Sequence, residues 1–326
     1  MAYSQGGLIE ATDYNNFLNG SNQLNTVWST GTGNVGYGQT ALNTVSVAGT
    51  VTATQWATLI NTLNSALVHQ SNTGSGISAT TAGGTINYLS SLADNINTSY
   101  TNRLNKTTNG STTTGNVYSP AFTVVNQTAA YDSSFTRTIA FESGDAARYF
   151  FNAGGYINFI TTSAVNNDAT SRSADMVTLI GTNLGNFTGF SAANNSGRSG
   201  TGGTLTTNAT GTGYYGLTTS EVSLSYIDAT SVTYSADYVA LNYFTSTANI
   251  SGNGDKGSTI YIKGVFNSGA QTTYAAPGPN PTLTGTTVTN TTTEDSVNVT
   301  WNHRIDIVYP ESTNLSAAAW GNVTVT

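Results

Sequence analysis

The chain has no cysteine in its 326 residues, which excludes disulfides and thiolate metal sites. Charge is nearly as scarce. Only 8% of the residues are Asp, Glu, Lys or Arg, against about 25% in an average protein. Nine cations stand against sixteen carboxylates, a net charge of −7, and no basic stripe is present. Nucleic acid is therefore excluded as an expected partner. No apolar run approaches the roughly 18 residues of a membrane span. The opening MAYSQGGLIEATDYNN lacks a basic segment followed by an apolar one, so neither membrane insertion nor a signal peptide is expected. A chain this poor in charge has little repulsion to keep free copies apart. Its polar surface must consist of neutral hydroxyls and amides, which suit strand faces, turns and subunits locked into an assembly.

The first third reads as helical. Tyr14, Phe17, Leu18, Leu24 and Trp28 fall near a 3.6-residue spacing, with Thr12 or Asp13 as cap. A second helix starts at Thr52, where Gln55 completes a capping-box pattern ahead of Trp56, Leu59, Ile60, Leu63 and Leu67. A third covers roughly 86 to 104. The polar faces of these helices are Asn, Ser and Thr, weak helix formers. Packing against one another or against neighbouring subunits must hold them. Residues 105 to 116 have no apolar residue and break both periods, as a linker would. After them the period switches to two. Runs such as SSFTRTIAF, GYINFITTSA, EVSLSYID, STIYIKGVFNS, SVNVTW and RIDIVYP are separated by Gly, Asn and Asp clusters. Short helical insertions are expected at 145–151 and 173–184, and a long polar loop at 191–213. The expected fold class is α+β: a helical attachment or oligomerisation region of about three helices (1–108), a linker (109–117) and a mainly antiparallel, jelly-roll-like β-sandwich (118–326).

Few constellations carry chemistry. Gly31-Thr32-Gly33-Asn34-Val35-Gly36 is a literal G-x-G-x-x-G. A dinucleotide turn needs a strand before it, a helix after it and an acidic residue about 20 positions on. Here a helix precedes the glycines, and no acid follows in the next 25 residues. A helix stop and bend is the better reading, with Tyr37 held out toward a partner subunit. His69, at a helix end where a cation suits the dipole, and His303, between strand-like runs, do not read as a zinc pair. Asn253 with Asp255, and Asn166, Asn167, Asp168 with Asp175, supply fewer acids than a calcium loop requires. Glu142 with Asp145 and Glu294 with Asp295 are near in sequence but lack the setting of a glycosidase pair. No catalytic, cofactor or metal residue is expected. Tyr214 and Tyr215, in GTGYYGL, are candidates for stacking on a receptor or glycan, against packing at strand edges. In SGDAARYFFNAGG, Asp145 reads as a helix cap and Arg148 as a partner for Glu142. The alternative for Arg148 is a cluster of backbone carbonyls. Tyr149, Phe150 and Phe151 read as a core plug, and Gly154 and Gly155 as positive-φ residues that reverse the chain.

Several stretches resemble virion structural proteins of tailed bacteriophages, especially marine and cyanobacterial ones. They are MAYSQGGLIEATDYNNF with VWSTGTGNVGYGQT and VTATQWATLINTLN, then SGDAARYFFNAGGYINF, then the closing VYPESTNLSAAAWGNVTVT. The resemblance covers about a quarter of the residues and implies a tail, fibre or collar component assembled in the host cytoplasm. It carries no catalytic residue with it. Head decoration and glycan adhesion are the rival roles, and a homotrimer bound to other virion proteins is the expected state. The expected attachment or oligomer interface is Tyr14, Phe17, Trp28, Tyr37, Trp56, Leu59 and Leu63.

Overall fold

A computed structural model describes residues 10–30, 35–79, 81–84, 86, 89–107, 110, 112–113, 121–127, 131–166, 170–191, 194–205, 219–229, 231, 234–245, 257–269 and 295–326. Within these, helix and sheet are mixed. The periodic run over the first 28 residues divides in two: α1 (Ala11–Leu18) and α2 (Leu24–Trp28). Gly20, at φ +149°, separates them. Asp13 does not cap from outside; its carboxylate accepts the backbone N–H of Glu10 at 3.1 Å from within the first turn. α3 (Ala53–Ser71) starts as its sequence requires. Gln55 N–H donates to Thr52 Oγ1 at 3.2 Å, and Thr52 N–H donates to Gln55 Oε1 at 2.8 Å. α4 (Leu89–Thr101) follows. Trp56, Leu59, Ile60 and Leu63 of α3 meet Tyr14, Phe17 and Leu18 of α1, Leu24 of α2, and Leu92 and Ile96 of α4 in one apolar cluster. Each such large side chain contributes about 1.5–3 kcal/mol by leaving water, which offsets the weak propensity of the polar faces.

Two antiparallel sheets follow. One has the order β1 (Thr112–Thr113), β11 (Val297–Val308), β4 (Tyr156–Val165), β5 (Phe187–Ser191), β6 (Asn194–Arg198), with β2 (Phe122–Gln127) also on β11. The other runs β12 (Thr324–Val325), β3 (Tyr131–Ala140), β10 (Thr259–Ser268), β9 (Tyr238–Thr245), β8 (Val222–Asp228), β7 (Thr204–Leu205). α5 (Gly144–Asn152) joins β3 to β4, and α6 (Ser171–Thr178) continues as a π-helical turn, Leu179–Leu184, between β4 and β5. Side chains of the two sheets share one core: Phe135 of β3 stacks on His303 of β11 at 3.9 Å and meets Trp301 edge-on at 5.0 Å. Three sequence expectations change. Thr112–Thr113, inside the expected linker, pair with Val308 and Ile307. The expected 191–213 loop contains β6 and β7. SVNVTW and RIDIVYP form the single twelve-residue β11, because His303 between them is a buried strand residue and not a turn.

One loop carries backbone strain. Ala48 sits at φ +63° next to Val47, which is 88% exposed. A Cβ in the left-handed region costs about 1–2 kcal/mol, partly offset by the greater chain entropy glycine loses. Ala48→Gly is therefore expected to raise unfolding stability by about 0.5–1 kcal/mol, read as a higher denaturant midpoint at unchanged slope.

Candidate functional site

A set of long-range polar contacts lies where the helices meet the sheets. Backbone N–H groups of Tyr37, Gly38 and Gln39 donate to the carbonyls of Val27, Ser29 and Trp28 at 2.8–2.9 Å, folding this stretch back along the end of α2. Tyr37 is thereby turned inward. It is 0% exposed, its hydroxyl donates to the Arg103 carbonyl at 2.6 Å, and it accepts from Gln70 Nε2 at 2.8 Å. Burial pushes its hydroxyl pKa far above the usual value. Gly38, at φ +72°, leaves room for the Tyr149 ring of α5. Asn152, at the end of α5, donates to the Gly36 carbonyl at 3.1 Å. Lys106 Nζ donates to the Gly154 carbonyl at 2.6 Å and lies 4.2 Å from the Tyr156 ring centre; burial lowers its pKa to about 8.

The segment after β11 closes this seam. Gln39 grips the Ser316 backbone from both sides: Oε1 accepts its N–H at 2.7 Å and Nε2 donates to its carbonyl at 3.2 Å. His69, near the end of α3, lies 2.9 Å from Glu311 through Nδ1, with 1% and 7% of the side chains exposed. Burial lowers the pKa of His69, more than Glu311 raises it, and Lys106 lowers it further. Burial alone would raise Glu311, but N–H donors from Asn314, His69 and Thr313 outweigh it and hold the carboxylate below its usual range. The pair is thus a neutral imidazole donating Nδ1–H to a carboxylate, not the helix-end cation read from sequence. Its Nε2 is enclosed and meets no described donor, acceptor or nucleophile. The arrangement fastens two regions together; it does not present a base to a substrate.

A second buried node ties α6 to the second sheet. Arg172, 0% exposed, makes a two-pronged contact with Asp237 at 2.9 and 2.7 Å and donates to the Gly269 carbonyl. Gly269 N–H donates to the same carboxylate at 2.9 Å. Tyr234 O–H donates to Asp295, the lead-in to β11. Asp175 lies alongside, its pKa raised by burial and by the Asp237 charge.

His303 lies between Phe135 and Phe159. Its Nε2 accepts from Arg137 Nε, which fixes the tautomer. Burial, then the Arg137 charge, lowers its pKa to about 4. The unfolded value is about 6.5, so the unfolded chain binds the proton first. The stability this group contributes is complete above pH 6.5 and declines as pH falls toward 4. The loss by then is on the order of 3 kcal/mol, with His69 adding in the same direction. Thermal midpoints between pH 7 and pH 4 check this. His303→Gln, which cannot take the proton, is expected to show a shallower decline.

The residues expected at an oligomer interface are core residues of the single chain. Tyr14, Phe17, Tyr37, Trp56, Leu59 and Leu63 are 0–2% exposed, and Trp28 packs against both apolar clusters. The stripes are covered by their own neighbouring helices. α5 keeps its place but changes its details. Ser143, not Asp145, caps it, accepting Ala146 N–H at 3.0 Å. Arg148 pairs with Asp145 at 2.8 Å and not with Glu142, whose carboxylate accepts the Asn322 N–H. Tyr149, Phe150 and Phe151 are buried as expected. Gly154 has φ +87°, whereas Gly155 is needed for a different reason: a Cβ there would lie 2.7 Å from the Phe150 ring. Asn166 is a strand partner, accepting Thr300 Oγ1 at 2.7 Å. Among the described residues no group of three or more His, Asp or Glu could hold a metal. Gly31 to Asn34, Asn167, Asp168, Tyr214, Tyr215, Asn253, Asp255 and Glu294 lie outside the described residues. A cavity of about 180 Å³, lined by Val51, Thr52, Trp56 and Ile86 among others, opens at the start of α3. It is below the 300–1,000 Å³ usual for organic ligands. No helix among the described residues is long and apolar enough to cross a membrane. No protein-family model, curated protein or solved structure matches the chain.

Proposed function

We propose that this chain is a non-enzymatic structural protein of a tailed-phage virion, a tail, collar or fibre appendage. In this reading the two sheets pack as a sandwich that projects from the particle, and the helical region attaches it. One observation carries the reading. The stretches that resemble virion proteins are scattered through the sequence, yet their residues meet in the seam. Tyr37, Gly38 and Gln39 come from the first, Tyr149 and Gly154 from the second, and Glu311 and Ser316 from the third. The resemblance therefore follows a buried joint between the two regions, as suits a part that transmits load. The trimer expectation loses the support it drew from the helix stripes, because the chain covers them itself. Gold-labelled antibody against the chain, viewed on intact particles, tests the proposal: label at the tail or collar is expected. Label on tailless heads would favour decoration of the head. Loss of host adsorption in the presence of excess purified chain would favour a glycan-binding role.

A further inference from the structure

Residues 309–326, after β11, cross from the helices to the second sheet with little regular structure, a single turn at Ala317–Ala319 and then β12. The segment holds its own shape. Glu311 Oε2 accepts the N–H groups of Thr313 and Asn314 at 2.7 and 3.0 Å, and the Tyr309 hydroxyl oxygen accepts Val323 N–H at 2.8 Å. Separate attachments tie it to the rest of the chain. Glu311 Oε1 meets His69 at 2.9 Å, and Ser316 is gripped by Gln39. Asn322 N–H donates to Glu142 at 2.9 Å, and Thr326 exchanges backbone hydrogen bonds with Thr138 at 2.8 and 2.9 Å. Leu315 and Trp320, each 1% exposed, anchor it in the core that the sheets share. A segment tied within itself and held at points is the kind of unit that opens below the global unfolding free energy.

Of the groups that hold this strap, His69 is the one whose charge changes near neutral pH. Its ring already donates Nδ1–H to Glu311, so a further proton must go to Nε2, which is buried and meets no described acceptor. Three elements face the ring. The strap brings Glu311, the fold-back stretch brings the Tyr37 ring at 5.2 Å, and the segment after α4 brings Lys106, with Arg103 behind Tyr37. Glu311 favours a positive ring; Lys106 and burial oppose it. Undocking the strap would let Nε2 reach water. We propose that His69 is a proton-operated latch: when Nε2 takes a proton, residues 309–326 leave the seam as one unit while the two sheets stay folded. The sign follows from linkage. The released ring titrates near 6.5, and the docked ring below its usual value, because burial outweighs Glu311. Release therefore takes up a proton. The closed form has its full advantage above pH 6.5 and loses it as pH falls. Glu311, held below its usual range while docked, adds in the same direction at lower pH. The latch goes beyond the virion reading and does not depend on it.

Amide hydrogen exchange of the full chain at pH 7 and pH 5, corrected for intrinsic rates, tests it. The amides of Ser316, Gly321 and Asn322 are expected to be open about tenfold more often at pH 5 than at pH 7. Those of Trp301 to Ile305 in β11 should still open only with the whole molecule. His69→Gln keeps a donor for Glu311 but cannot take the proton, and is expected to remove the tenfold difference. If that variant does not fold, the imidazole NMR signals of the unaltered chain decide, since it has two histidines. The His69 ring should take its proton below pH 6.5, in step with the opening of the strap amides. Strap amides that open equally at both pH values or only together with β11, a pH response that survives His69→Gln, or a His69 ring that charges while the strap stays protected would overturn the proposal.

Discussion

Gly38→Ala is expected to destabilise the protein by about 2–4 kcal/mol. Two costs add. An alanine at φ +72° carries the left-handed penalty of about 1 kcal/mol or more. Its Cβ would also lie only 2.2–2.6 Å from atoms of the Tyr149 ring, and forcing extra volume into a packed contact costs about 1–3 kcal/mol. Denaturant unfolding measures the sum. A double-mutant cycle separates the parts: in a Tyr149→Ala background the clash is gone, and Gly38→Ala should then cost only the backbone share. If the cost is the same in both backgrounds, Tyr149 does not seat on Gly38.

Arg172→Ala is expected to cost about 3–5 kcal/mol, because it leaves the Asp237 carboxylate, 1% exposed, without its cation. The pair itself need not be strongly stabilising. Replacing both partners by apolar residues of similar volume, as in Arg172→Met with Asp237→Leu, should cost less than Arg172→Ala alone. If Arg172→Ala costs no more than the double replacement, the carboxylate has found another partner.

Local chemistry was the most legible part of the sequence. Thr52 and Gln55 cap α3 because that motif needs only residues three apart. The alternating runs became strands because a period of two puts one face into a core whatever the partner strand. What could not be read were contacts that depend on the whole fold. Tyr37 between two glycines looks like an aromatic held outward. It is a core residue because 37–39 fold back on α2 and meet α5 and the segment after β11, whose position is set by more than 270 intervening residues. Gln39 looks like any surface glutamine until Ser316 is beside it. His303 interrupts an apolar run and suggested a break; two aromatic rings and Arg137 make it a strand residue. The apolar residues of α1 and α2 keep one phase across Gly20 and so read as one helix; only the backbone shows the turn. Asp145 and Ser143 are both good caps, and sequence alone does not choose between them.

The helices and sheets are expected to unfold as one cooperative unit, fastened by Gln39 to Ser316, His69 to Glu311 and Tyr149 on Gly38. Native-state hydrogen exchange tests it most directly. The slowest amides of α3, around Leu59 to Leu63, and those of β11, around Trp301 to Ile305, should exchange with the same opening free energy and the same denaturant dependence. If the α3 amides open at a free energy several kcal/mol lower than those of β11, the helical region unfolds on its own. The seam would then be a surface contact and not a load-transmitting joint.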